Sequence, residues 1–271
     1  MNDILVILTN FVCLNIDEER DMSMILNKKL RNAFVSRIVI TVCLLLCLQS
    51  AVSQSVIDID TTASLCVFEP HFSRVELEVG TMPAKDDTSV IFCAAAAFTR
   101  DYLDAFGHGN IVGAYVTHGV AYNGYEGKGR YGRFVYHTKR WRFIDAGDHT
   151  SYDATVAGGG CAFTQMWVIR NRHIFKPYAM SSDSTRSNVY RALCEKDGKL
   201  LIAQSRRSVP YHVFVKALMS YGFDNALYMD MGSGWNHSFY RSGQDMQTHL
   251  HILFPIRNNT RYCTNWLTFY K

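Results

Sequence analysis

Two residues far apart in the chain are of types that act on phosphate esters and sugars: Arg191 and Asp230. Asp230 closes the apolar approach Ala226-Leu227-Tyr228-Met229 and is followed by Met231-Gly232-Ser233-Gly234-Trp235-Asn236-His237-Ser238. A carboxylate at the end of a short buried strand, followed by a glycine-rich loop of free N–H groups, suits an anionic or sugar ligand. Gly232 and Gly234 allow the backbone to approach that ligand closely. Ser233, Asn236 and His237 offer hydrogen bonds to its hydroxyls. The same stretch also reads as a turn in which Asp230 bonds its own backbone. Arg191 suits phosphate, because a guanidinium forks onto two oxygens. It equally suits a structural ion pair with Asp230. In Ala157-Gly158-Gly159-Gly160, Gly159 and Gly160 either offer N–H groups to a phosphate or an oxyanion, or make a tight entry into a strand.

A standard glycosidase sets two carboxylates about the scissile bond. No second carboxylate has a motif behind it. Glu195 shares a strand face with Arg191, while Asp145, Asp148 and Asp153 read as solvated or turn residues. His118 and His212 are single histidines in a turn and at a helix start. His249 and His251 alternate on one strand face, but a third ligand at useful spacing is missing. No metal site and no cofactor are expected. Phe98, Trp235 and Tyr240 are placed to stack on a sugar ring or to pack at strand ends.

These residues need elements to hold them. Arg74 to Val79 alternates, with Val75, Leu77 and Val79 on one face, and reads as the first half-buried strand. Val90 to Ala97 is a small-residue apolar strand. Ile111 to Ala121 gives two short strands about Thr117-His118-Gly119. Arg133 to Ile144 gives two more about His137 to Arg140. Cys161 to Arg170 is a strand. Tyr190 to Glu195 and Leu200 to Ser205 flank Lys196-Asp197-Gly198-Lys199, a hairpin whose Asp-Gly suits the strand twist. Pro210 to Gly222 carries Val213, Phe214, Ala217, Leu218 and Tyr221 at helical spacing, and Gly222 ends it. Asn225 to Asp230, His249 to Phe254 and Asn265 to Tyr270 are strands. Ser55 to Glu69 shows no clear period. The expected fold is α+β: a mixed, largely antiparallel sheet core with one or two packed helices.

The chain has 271 residues, 48% of them hydrophobic, enough for a sizeable core. A net charge of +4, without a basic cluster interleaved with aromatics, argues against nucleic acid as a partner. Residues 24–54 read as an export signal. Lys28, Lys29, Arg31 and Arg37 precede an apolar run from Ile38 to Leu48, and Ser50-Ala51-Val52-Ser53 supplies small residues for cleavage before Gln54. That run is short for a membrane span; an uncleaved anchor is the alternative and the one route to membrane association. Residues 1–23 read as a mis-called extension upstream of Met22 or Met24. A single domain is expected over 55–271, in the periplasm or the extracellular medium. Of eight cysteines, the five beyond the signal sit mostly in apolar runs and read as small buried hydrophobes, with one disulfide possible if the compartment is oxidising.

The order of features over roughly residues 88–271 resembles the phosphodiester glycosidase family, in a bacterial-type form of its N-acetylglucosamine-1-phosphodiester alpha-N-acetylglucosaminidase-like domain. Three stretches carry the resemblance. They are Tyr190-Arg191-Ala192-Leu193 through Asp197-Gly198-Lys199-Leu200, the helical Phe214 to Leu218, and Asn225 to Ser238. The resemblance implies a secreted hydrolase that cleaves a sugar-1-phosphodiester in a glycan or glycolipid. It makes Asp230 and Arg191 the catalytic pair. Gly159, Gly160, Gly232, Ser233, Gly234 and Asn236 would then hold substrate. The chain departs from the family pattern at Met231, where glycine is usual, at Trp235, at Ala192, and at Ala95-Ala96-Ala97-Phe98-Thr99, which lacks the usual asparagine. These departures support the alternative, a non-catalytic glycan-binding or envelope protein on the same scaffold.

Overall fold

The computed structural model describes residues 55–99, 111–124, 131–175, 187–231, 238–244, 247–254 and 265–271. The expected signal and the upstream extension lie outside them. By internal contacts the chain divides into Met1–Ser53 and Gln54–Lys271, and the second unit is the one described. Among the described residues no helix is long and apolar enough to cross a membrane.

The strands, in order, are β1 (Ile57–Thr61), β2 (Leu65–Pro70), β3 (Arg74–Val79), β4 (Val90–Ala95), β5 (Tyr115–Thr117), β6 (Val120–Tyr122), β7 (Tyr131–His137) and β8 (Arg140–Asp145). Helix α1 (His149–Ala157) follows, then β9 (Cys161–Arg170), β10 (His173–Ile174), β11 (Ser187–Asn188), β12 (Arg191–Lys196), β13 (Lys199–Ser205) and β14 (Val209–Pro210). Helix α2 (Tyr211–Tyr221), β15 (Asn225–Met229), β16 (Ser238–Gln244), β17 (Gln247–Phe254) and β18 (Asn265–Tyr270) complete the described chain.

The α+β expectation is corrected here. Over the described residues the fold is β-rich, with 59% strand and 12% helix. Every strand pairing among the described residues is antiparallel, so the sheets are not mixed. The larger sheet runs β1-β2-β13-β12-β15-β9-β5-β6, with β7 also on β9 and β8 on β7. The smaller runs β17-β16-β4-β18-β3. One core lies between them: Leu193, Ile202, Leu227, Phe163 and Phe134 of the larger sheet meet Leu77, Phe92, Leu267 and Phe269 of the smaller. Sheet-on-sheet packing is the main layer, and the helices only cover parts of the larger sheet's outer face.

The correction has a physical source. Strands buried on both faces lose the alternation that marks a strand in sequence. β2 reads LCVFEP and is buried or half-buried throughout. Arg74–Val79 is thus the third strand, and Glu76 on its supposed solvent face is 9% exposed. β16 also escaped sequence reading.

α2 forms where its pattern demanded. Phe214, Val215 and Leu218 share one buried stripe, against Leu201, Ala203, Cys194 and Tyr228 of the sheet. Burying three such side chains contributes about 1.5–3 kcal/mol each. Gly222 ends the helix in the left-handed region at φ 88°, its N–H donating to Leu218 and Met219 carbonyls.

α1 has no comparable stripe. It is fixed at its ends instead. Asp148 caps its start by accepting from the Ser151 N–H at 3.0 Å. At its finish Gly159 N–H donates to the Val156 carbonyl at 3.0 Å and Gly160 N–H to the Thr155 carbonyl at 2.9 Å. With Gly159 at φ +65°, this is a Schellman termination, which requires a left-handed residue at that point.

The cysteines Cys66, Cys93, Cys161 and Cys194 are free thiols, and Cys263 lies outside the described residues. Burial pushes the Cys93 thiol up to about 12 and those of Cys161 and Cys194 above their ordinary value. All three behave as small hydrophobes.

Candidate functional site

Five strand ends converge at one end of the two-sheet stack. β12 begins there with Arg191, whose register partner on β15 is Met229, the residue before Asp230. Arg191 and Asp230 therefore sit on neighbouring strands at the same sheet end. β4 finishes beside them. The Asp230 N–H donates to the Ala96 carbonyl at 3.0 Å, and Gln165 Nε2 of β9 reaches the same oxygen at 3.4 Å. β18 begins with Asn265, which accepts from Ala97 N–H at 2.7 Å and donates to the Ala97 carbonyl at 3.0 Å. β16 begins with Ser238, opposite Ala94. The segment Ala95-Ala96-Ala97-Phe98-Thr99, named above as a departure from the family pattern, thus adjoins the acid through Ala96.

The Arg191 guanidinium ties the two sheets together. Its Nε donates to Gln204 Oε1 at 3.0 Å, and its Nη2 to Gln204 Oε1 at 2.6 Å and to Ser238 Oγ at 2.7 Å. The residue is fully enclosed, and Asp230 is 5% exposed. A buried guanidinium requires several acceptors to offset its lost hydration, and Gln204 and Ser238 meet part of that requirement. The field of the pair is felt next door. Burial holds the Tyr228 phenol well above its ordinary pKa, Asp230 raises it further, and Arg191 lowers it. Tyr228 also packs against Phe98, Tyr190 and Tyr211.

Gly159 and Gly160 do not join this group. Their N–H groups are taken by the last carbonyls of α1. The strand geometry also separates them. Gly160 precedes Cys161 at the start of β9, whereas Asp230 meets β9 near Gln165, about 16 Å further along at the strand rise of ~3.3 Å per residue. Gly160 is where backbones crowd, since a Cβ there would lie 2.0 Å from the Tyr136 carbonyl oxygen. Gly232, Ser233, Gly234 and Asn236, with Trp235 and His237, lie outside the described residues.

Three of the other acids have other employment. Glu195, at the far end of β12, accepts from Asn225 Nδ2 at 2.7 Å. Asp145 pairs with Arg170, and Asp148 caps α1. His118 bridges Glu76 at 3.7 Å and Glu78 at 3.3 Å. His251 stacks on Tyr240 with ring centroids 4.6 Å apart. Among the described residues no group of three or more His, Cys, Asp or Glu is placed to hold a metal ion.

Sequence reasoning missed Gln204, Ser238, Gln165 and Asn265. A signal existed for three of them. Gln165 and Gln204 are polar residues on the inward face of otherwise apolar strands, and Asn265 opens such a strand. A buried polar residue of that kind needs a partner.

The described residues thus form a two-sheet β-rich fold with a buried polar cluster where strand ends converge. Among solved structures, the chain is similar to the zebrafish N-acetylglucosamine-1-phosphodiester alpha-N-acetylglucosaminidase catalytic domain, described as auto-inhibited by its pro-peptide. The TM-score is 0.52 at 11% identity, over 80% of this chain and 82% of that one. The likeness establishes a distant relationship of fold. No family model and no curated protein sequence matches the chain.

Proposed function

We propose that the chain is an exported hydrolase cleaving a sugar-1-phosphodiester, of the N-acetylglucosamine-1-phosphodiester type, in a glycan or glycolipid. The observation that carries this reading is the placement of Arg191 and Asp230 on adjacent strands at one sheet end, within a fold shared with an enzyme of that chemistry. Water adds at the anomeric carbon, the bond from that carbon to the phosphate oxygen breaks, and a phosphate monoester leaves. Arg191 supplies positive charge against the phosphate. Asp230 acts as the acid–base group. The N-terminal run from Ile38 to Leu48 supports export.

The test uses the methyl diester of N-acetylglucosamine-1-phosphate and measures the freed sugar. Wild-type chain releases it, and the near-isosteric Asp230→Asn lowers kcat/KM by about 100-fold or more. Absence of release across a panel of sugar-1-phosphodiesters sinks the hydrolase. One observation favours the second reading, a non-catalytic glycan-binding protein: the Arg191 guanidinium is fully enclosed and engaged by Gln204 and Ser238. Binding on a glycan array without cleavage would select that reading.

A further inference from the structure

On the outer face of the larger sheet, away from the Asp230 cluster, α1 and the β7–β8 hairpin enclose a cleft of about 260 Å³. Its walls are His137, Arg140, Arg142, Thr150 and Ser151, over a floor that includes Val135 and Ala154. Arg140 lies opposite His137 and Arg142 opposite Val135 in the β7–β8 register. Both arginines therefore project from one face of β8, about 7 Å apart along the strand. Both are exposed, and neither makes an ion pair, hydrogen bond or ring contact among the described residues. No carboxylate lines the cleft. Two nearby acids are committed elsewhere: Asp148 to Ser151 and Asp145 to Arg170. Arg133 lies on the same face of β7 as Val135 but does not line the cleft. It is 4% exposed and bonds Thr164 at 3.1 Å, its guanidinium lies over the Tyr152 ring, and its Nη1 carries no hydrogen bond.

We infer that this cleft binds a tetrahedral oxyanion ester, a phosphate or sulfate monoester carried on a sugar. Two guanidinium forks at that spacing grip several oxygens of one such group. Thr150 offers a hydroxyl beside them, and the apolar floor accepts the carbon skeleton. By strand spacing the cleft stands roughly 15–20 Å from Asp230. The site is independent of the proposed hydrolase.

Titration calorimetry on the full chain tests it, with glucose 6-phosphate, glucose 6-sulfate and neutral glucose as probes. At least one ester binds, the tighter one naming the group, while glucose gives no heat. Arg140→Gln/Arg142→Gln weakens that binding at least tenfold without moving the melting midpoint. Thr150→Val weakens it less. Lys139→Gln, which removes one positive charge at the hairpin tip outside the cleft, and Asp230→Asn leave it as in wild type. Silence with both esters, wild-type affinity in the double variant, or an equal loss in Lys139→Gln overturns the assignment.

Discussion

Truncating Arg191 tests whether the guanidinium clamps the two sheets. Arg191→Ala removes three hydrogen bonds, two to Gln204 and one to Ser238. Ser238 is 1% exposed, so its hydroxyl loses a charged donor where water does not easily replace it, at about 1–3 kcal/mol. The excised side chain leaves a hole of about 80 Å³, which at ~24 cal/mol per Å³ adds about 2 kcal/mol if the walls do not collapse. Relief of the buried charge offsets part of this. The net expectation is a loss of about 2–4 kcal/mol, a large share of a typical domain's roughly 5–15 kcal/mol. Arg191→Met keeps most of the volume and removes the charge, so it loses less, about 2 kcal/mol or under. Urea unfolding of both variants, compared at a common m-value, measures the two losses. An Arg191→Ala loss below about 1 kcal/mol, or a Met variant less stable than the Ala variant, would refute the clamp.

Three further expectations follow from the same structure. Gly160→Ala drives a Cβ to 2.0 Å from the Tyr136 carbonyl and loses about 3 kcal/mol or more. Gly159→Ala meets nothing within 4 Å and loses only the left-handed penalty of about 1–2 kcal/mol. Because the Gly159 N–H serves α1, sugar release by Gly159→Ala equals that of wild type, and a large fall in kcat would restore a substrate role for this glycine. Burial, opposed by Arg74 and His118 and reinforced by Glu78, raises the Glu76 carboxyl above its ordinary 4.5. The folded chain then holds the proton more tightly than the unfolded one, so stability falls as pH rises from about 4.5 through the raised folded value. Glu76→Gln flattens that part of the curve, and a wild type that instead gains stability relative to the variant over the window contradicts the reasoning. Asp148→Ala removes the cap of α1 and costs about 0.5–2 kcal/mol by thermal unfolding; no change would show that α1 holds without it.

Some of this architecture was legible in the chain. The Asp197-Gly198 hairpin, the α2 stripe ended by Gly222, and the strands at Cys161–Arg170 and Asn225–Met229 all follow from short-range pattern, because their residues carry the period or the turn chemistry themselves. α1 was not legible. It has only Tyr152 and Val156 to pack, and its caps do the rest, so Gly159 and Gly160 read as either a ligand loop or a tight strand entry, and the helix that they end went unread. β1, β2 and β16 were missed because edge exposure or burial on both faces erases alternation.

The sequence by itself determined which residues bear charge, which segments favour strand or helix, and that Arg191 stands near the start of its segment and Asp230 at the end of its own. Only the tertiary structure decided that those two share a sheet end, that Gln204 and Ser238 hold the guanidinium, and that Gly159 and Gly160 stand apart from them. Antiparallel register between strands distant in sequence sets those distances, and one strand's own pattern does not encode which neighbour it will pair with.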